Sequence, residues 1–264
     1  MKIVVAVKQV AALDEEFELL GDASGVDEEF VEWELNEWDT FSLEAALQLR
    51  EATGDGGEVV AVTVGDEEAE EGLLACLARG ADRGIRVWDG SLEGADVLQV
   101  ARVLSAVVER ESPDLVLCGV QSSDAVTGST GTALAGYLDL PRVAVVTALS
   151  YDAQSSTLTV DRELEGGLVE VARIGLPALL TIQTGINEPR YATLRAIKQA
   201  REKPLELVSS GDLGLEPEAL ATAAGARMTT LRMPDRGEGA QLLDGSPAEV
   251  AERIVELVKE QLSG

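Results

Sequence analysis

The chain has 264 residues, 45% of them hydrophobic, and a formal net charge of −27 at pH 7. That size allows one large domain or a domain with an appendage, and the charge argues against nucleic-acid binding through a broad basic face. With no histidine and two distant cysteines, Cys76 and Cys118, in apolar runs, hydrolytic triads and transition-metal sets are disfavoured, and the cysteines read as buried thiols.

No apolar run approaches the roughly 18 residues of a membrane span, so no direct membrane insertion is expected. The apolar start MKIVVAVKQV is too short for a signal peptide, and a cytoplasmic protein is expected. Within it, Ile3–Val7 reads as a strand buried on both faces. A long acidic connection, Asp14 to Glu34, carries a turn at Gly21–Gly25. Then come a helix over Phe41–Arg50, a strand over Glu58–Val64, a helix over Glu67–Arg79 capped by Asp66, and a strand over Ile85–Trp88. An amphipathic helix over Asp96–Glu111 and a strand over Leu115–Cys118 follow. This alternation predicts an α/β fold with a Rossmann-like parallel sheet and helices on both faces.

Ligands of such sheets bind beyond the carboxyl ends of the strands. Three ends carry suggestive chemistry: Ala6-Val-Lys8, Val64-Gly65 and the run Gly119–Thr132. The last is a Gly/Ser/Thr loop before a helix over Thr132–Tyr137. Its small residues let backbone N–H groups approach a phosphate at a helix N-terminus. It has neither the Walker nor the GxGxxG spacing, and a polar loop with a helix cap reads equally well.

After Pro141, Arg142–Tyr151, Ser156–Glu163, Gly167–Arg173 and Ala178–Thr184 read as short strands of a smaller antiparallel patch, with Asp161–Gly167 as a hairpin connection. The spacing of its acids Asp161, Glu163 and Glu165 would allow paired carboxylates for acid–base work, but it suits a charged hairpin face better. Residues 186–204 read as a turn, an exposed loop and a short basic helix closed by Pro204. Arg190, Arg195, Lys198, Arg201 and Lys203 place five of the chain's 21 Lys and Arg beside Tyr191 and Leu194. That suits contact with an acidic partner, or a solvated helix with ordinary cations. Beyond lie a turn-rich linker over Ser209–Glu218, a strand-like run Met228–Met233 and a patternless Pro234–Gly239. A capping box at Ser246–Glu249 opens a helix to Leu262 with the apolar stripe Val250, Ile254, Leu257 and Val258.

Several strings carry a resemblance. They are VAVKQV, Asn36 with the helix after it, Gly80–Gly84, Gln99–Arg102, Asp114–Leu117, Asp161–Gly167, Leu176–Ala178 and, above all, Asn187-Glu-Pro-Arg-Tyr-Ala-Thr-Leu194. In these the chain resembles the electron transfer flavoprotein beta subunit, a likeness that fades after Leu215. The resemblance implies a heterodimer whose alpha subunit holds the redox-active FAD, with a structural AMP in this chain. Ala6, Asn36, Asp39 and Val64 would line the adenosine. Asp124, Ala125, Val126, Thr127, Gly128, Ser129, Thr130 and Gly131 would hold the phosphate. Asp39 is more acidic than the residue many members carry there, and Ala125–Gly128 departs from the forms associated with either AMP or FAD. The loop also lacks the Asp-Gly-Asp-Thr-Ala-Gln-Val-Gly string of electron-bifurcating relatives, which favours AMP over a second FAD.

The resemblance further implies docking of acyl-CoA dehydrogenases through Asn187, Glu188, Pro189, Arg190, Tyr191, Leu194, Arg195 and Lys198, with Leu194 as the anchor. It implies a charged contact from Glu165 to the mobile flavin domain of alpha. It also implies onward electron transfer to an electron transfer flavoprotein-quinone oxidoreductase, without bond-making catalysis by this chain. The organisation expected is an α/β nucleotide-binding domain over 1–204, with a recognition loop at 185–204, and a C-terminal partner-binding arm over 205–264 that docks on the alpha subunit. A stand-alone adenine-nucleotide-binding regulator of the universal-stress-protein type would suit the parallel half, but not the basic stretch or the tail.

Overall fold

The computed structural model describes residues 1–13, 17–27, 31–54, 56–233, 239–240 and 242–262. The expected start of the acidic connection at Asp14, and the patternless stretch up to residue 238, lie outside them. In chain order the elements begin with β1 (Lys2–Ala6), β2 (Gln9–Leu13), β3 (Val31–Leu35), α1 (Glu37–Thr53), β4 (Glu58–Val64) and α2 (Ala69–Arg79). They continue with β5 (Arg83–Val87), α3 (Val97–Glu111), β6 (Leu115–Gly119), α4 (Thr130–Tyr137), β7 (Arg142–Asp152), β8 (Thr157–Leu164) and β9 (Leu168–Gly175). Last come β10 (Ala178–Ile182), α5 (Leu194–Ala200), β11 (Leu205–Val208), α6 (Pro217–Ala223) and α7 (Pro247–Leu262).

Nine strands form one sheet in the order β11-β5-β4-β1-β6-β10-β7-β8-β9. All neighbouring pairs from β11 to β7 are parallel, and β8 pairs antiparallel with both β7 and β9. The β-branched runs of the central strands are buried on both sides because alternate side chains enter opposite layers. Ile3 and Val5 join Leu43, Leu47, Leu73 and Leu77 of α1 and α2. Val4 packs in the other layer with Val103, Val107 and Leu134 of α3 and α4. Asp96 starts α3 with a reciprocal capping box involving Gln99.

Three features differ from the sequence reading. Ala178–Ile182 is not part of the antiparallel patch; it is a fully buried parallel strand between β6 and β7. The acidic connection is flanked by an antiparallel ribbon, β2 with β3. Leu205–Val208, placed in the arm by its position after Pro204, pairs parallel with β5 on the main sheet. One compact unit spans Met1–Thr230 and a second Leu231–Gly264. Met228–Met233 forms no strand. In the second unit, Ser246 and Glu249 do form the capping box of α7, and Ile254, Val255, Val258 and Leu262 along it are exposed.

Candidate functional site

The sheet reverses its winding at β1. The chain moves outward from β1 through β4 to β5, then crosses back through α3 to place β6 on the other side of β1. Such a switch point opens a crevice between the loops that leave adjacent strands.

Asp39, on the first turn of α1, is buried in that crevice. Its Oδ2 accepts from the Lys8 N–H at 2.8 Å and its Oδ1 from the Gly119 N–H at 3.0 Å, which ties the ends of β1 and β6 together. Burial pushes its carboxyl up to about 7 against the pull of these donors. Asn36 stands at the N-cap of α1 but makes no side-chain cap hydrogen bond. Its amide nitrogen donates to Gln121 O at 2.9 Å and its oxygen accepts from Ser123 N–H at 3.2 Å, so the side chain fastens the following loop.

That loop runs exposed from Ser123 to Gly128. Val126 and Gly128 hold positive φ angles, which turn the chain sharply ahead of α4. Among the described residues no protein group accepts from the backbone N–H groups of Gly128, Ser129, Thr130, Gly131 or Thr132. A helix start of this kind favours an anion. Two glycines keep the backbones close. A Cβ on Gly119 would meet Trp38 Cβ at 2.5 Å, and one on Gly131 would meet Cys118 Sγ at 2.6 Å. Ala6 is buried at the end of β1, the strand next to the β6 that leads into this loop, and Val64 is half-buried at the end of β4, on the other side of β1. The strand ends and loop singled out in the sequence therefore lie at the same end of the sheet, around the switch point at β1.

Lys8 and Asp124 are its charged pair. Lys8 Nζ lies 2.5 Å from Asp124 Oδ2, and Asp124 Oδ1 also accepts from Ala125 N–H at 2.7 Å. Burial opposes the charge on Asp124, but Lys8 and Ser122 outweigh it and hold the carboxyl below its ordinary range.

The basic stretch lies elsewhere. Asn187 donates to Phe41 O at 3.0 Å, and Arg190 is turned inward onto Glu44 and Glu51 of α1. Lys203 donates to Leu77 O at 2.9 Å and Ala81 O at 2.6 Å, closing the C-terminal end of α2. Between these fixings Tyr191 is 95% exposed and Leu194 82% exposed. Arg195 and Lys198 are exposed, as is Glu188, while Pro189 is half-buried. Thr193 starts α5 by accepting from Ala196 N–H at 3.2 Å. Glu165 is exposed in the turn between β8 and β9.

Sequence reasoning missed Glu44 and Glu51. Their signal is faint: an acid at Glu44 on the apolar face formed by Leu43, Ala46 and Leu47, repeated two turns on at Glu51. Cys76 and Cys118 are buried free thiols, pushed up to about 12 by burial. Among the described residues no cluster of His, Cys, Asp and Glu could hold a metal, and no helix is long and apolar enough to cross a membrane.

A doubly wound sheet with its crevice at the switch point defines a Rossmann-like α/β protein. A family model described as the electron transfer flavoprotein domain matches residues 24–213. The chain is 47% identical over 261 residues to the electron transfer flavoprotein subunit beta of Methylophilus methylotrophus, covering 98% of each. It is 33% identical over 264 residues to that of Bacillus subtilis (strain 168), covering 99% of this chain and 98% of the other. It is 38% identical over 218 residues to that of Homo sapiens, covering 82% of this chain and 84% of the other. The chain belongs to the electron transfer flavoprotein beta-subunit family.

Proposed function

We propose that this electron-transfer subunit pairs with an alpha subunit, holds AMP in the crevice at β1 and β6, and docks acyl-CoA dehydrogenases through Leu194. The FAD of the alpha subunit supplies the redox chemistry; this chain makes and breaks no bonds. Its task is to hold the assembly together and present a docking surface. Electrons then pass to a quinone oxidoreductase, and the setting is the cytoplasm.

The crevice suits a nucleoside monophosphate. Ala6, Asn36, Asp39 and Val64 would surround the adenosine, and residues 124–131 the phosphate, which the N–H groups of Gly128–Gly131 favour by charge and geometry. The acid Asp124 would oppose a phosphate if it were alone, but Lys8 neutralises it. Glu165, exposed on its hairpin turn, would offer a charged contact to the flavin domain of alpha.

The observation that carries the docking reading is the exposure of Leu194, 82%, at the first position of α5, directly after a loop whose base is ion-paired. A large apolar side chain held out in solvent beside Arg195 and Lys198 fits a hot spot that fills an apolar pocket within an acidic surround. Leu194→Ala should cost about 1–3 kcal/mol of docking energy, roughly ten- to hundredfold in affinity. The loss should appear in reduction by the dehydrogenase at subsaturating concentrations, with flavin content and thermal stability unchanged. Wild-type reduction rates, or an unfolded variant, would remove Leu194 from the interface. For the crevice, mass spectrometry of molecules released from the denatured heterodimer should find AMP and a single FAD. Two FAD without AMP would overturn the nucleotide assignment and favour a subunit with its own flavin.

A further inference from the structure

The exposed apolar surface at Tyr191 and Leu194 has little packing of its own. Between Asn187 and Leu194, only Ala192 contributes an apolar side chain to the core. Order must come from polar attachment, and the attachment is concentrated on Arg190. Its backbone N–H and Nε both donate to Glu44 Oε2, at 3.2 and 2.7 Å, and its Nη2 donates to Glu44 Oε1 at 3.0 Å. Its Nη1 and Nη2 also donate to the two oxygens of Glu51, at 2.7 and 3.2 Å. Gln48 donates to Glu44 Oε1 at 2.9 Å, and Glu44 is itself buried. A planar guanidinium that meets two carboxylates in this way fixes direction as well as distance, which a lysine cannot do.

We propose that Glu44 and Glu51 are positioning residues for docking: through Arg190 they hold the loop so that Tyr191 and Leu194 meet the partner in one preset geometry. The proposal rests on the docking reading of Leu194. Its physical content is preorganisation. A loop already ordered in its bound form loses less conformational freedom when the partner arrives. Both acids lie on α1 and reach the loop through the Arg190 guanidinium, so their effect on docking passes through the loop.

The test uses the intact heterodimer carrying Glu44→Gln with Glu51→Gln, which keeps both side chains' size and removes both charges. Should that pair fail to fold, Glu51→Gln alone carries the test, because Glu51 is exposed. Arg190→Lys is the companion variant, retaining the charge but not the fork. Amide hydrogen exchange in peptides covering residues 187–200 should quicken about tenfold, with exchange elsewhere unchanged. In reduction by an acyl-CoA dehydrogenase, KM should rise about fivefold at unchanged kcat, the pattern of lost binding. Unchanged exchange at 187–200, or faster exchange with an unchanged KM, would overturn the proposal. Leu194→Ala separates the two readings. If it raises KM while the acid variants do not, positioning fails alone; if it leaves KM unchanged, docking and positioning fail together.

Discussion

Gly119 and Asp39 meet twice. The Gly119 N–H donates to Asp39 Oδ1 at 3.0 Å, and a Cβ added to Gly119 would come within 2.6 Å of that same oxygen. The Trp38 carbonyl carbon, 3.2 Å from the same point, closes the way round, so no rotamer change makes room. Gly119→Ala should therefore destabilise the protein by about 1–3 kcal/mol. The check is a urea titration, in which the midpoint should fall at an unchanged m-value. A midpoint equal to the wild type would mean that the ends of β1 and β6 are free to separate.

Asp39 also gives stability a pH dependence. The folded state keeps its proton up to about 7, whereas the ordinary value is 3.8. Between those values the folded state binds the extra proton, so this contribution is full below pH 3.8 and is lost as pH rises through about 7. Glu111 works in the opposite sense. Its burial favours the neutral form, but Arg83 and Lys2 outweigh that and hold it at about 2, against an ordinary 4.5. Its contribution is present above pH 4.5 and is lost as pH falls through about 2. Asp39→Asn should remove the decline of unfolding free energy across roughly pH 4–7 and leave the acid limb in place. Parallel curves for the two proteins in that window would refute the assignment.

Lys8 and Asp124 should act on nucleotide binding with opposite signs. A phosphate bound there would compete with Asp124 for the Lys8 ammonium. Lys8→Met should weaken AMP binding by about tenfold, the equivalent of one charge-assisted hydrogen bond. Asp124→Asn frees the lysine and should tighten binding severalfold. Titration calorimetry on nucleotide-stripped heterodimer reads both, and a loss of affinity in both variants would show that the pair is only a structural brace.

Two truncations should behave differently. Ending the chain after Thr230 removes only the second compact unit, including the exposed stripe of α7. The α/β unit should stay folded while assembly with the alpha subunit weakens. Ending it after Pro204 also strips β11 from β5 and uncovers a buried strand edge, which invites aggregation. Size-exclusion chromatography should show the first as a soluble species and the second as depleted or aggregated. An undiminished heterodimer from the first would mean that the tail plays no part in assembly.

The parallel half was legible because its strands are buried on both faces and written as unbroken apolar runs such as Ile3–Val7. The crevice was legible for a related reason, since small residues at strand ends are cheap to spot. What could not be seen are long-range placements. Ala178–Ile182 has the composition of a buried strand, but nothing local says that it inserts between β6 and β7 after a hairpin excursion. The β2–β3 ribbon was hidden by acids that lower β propensity, with Trp33 left exposed. The inward turn of Arg190 depends on Glu44, 146 residues away. Charge counting grouped that arginine with the exposed cations Arg195 and Lys198, which share its stretch but not its inward ion pairs. Pro204 looked like a boundary, yet only four residues beyond it are enough to join the main sheet.

Helix α1 serves two places at once. Its start supplies Asn36 and Asp39 to the crevice, and its next turns supply Phe41 O, Glu44 and Glu51 to the loop. The unit that can be exchanged between relatives is therefore larger than the loop. A loop over residues 187–200 transplanted from another family member would face an α1 surface it was not built against, without the Glu44 and Glu51 pairing matched to it. The graft has to bring residues 41–51 with it, and the donor's α1 then also has to suit the host's crevice.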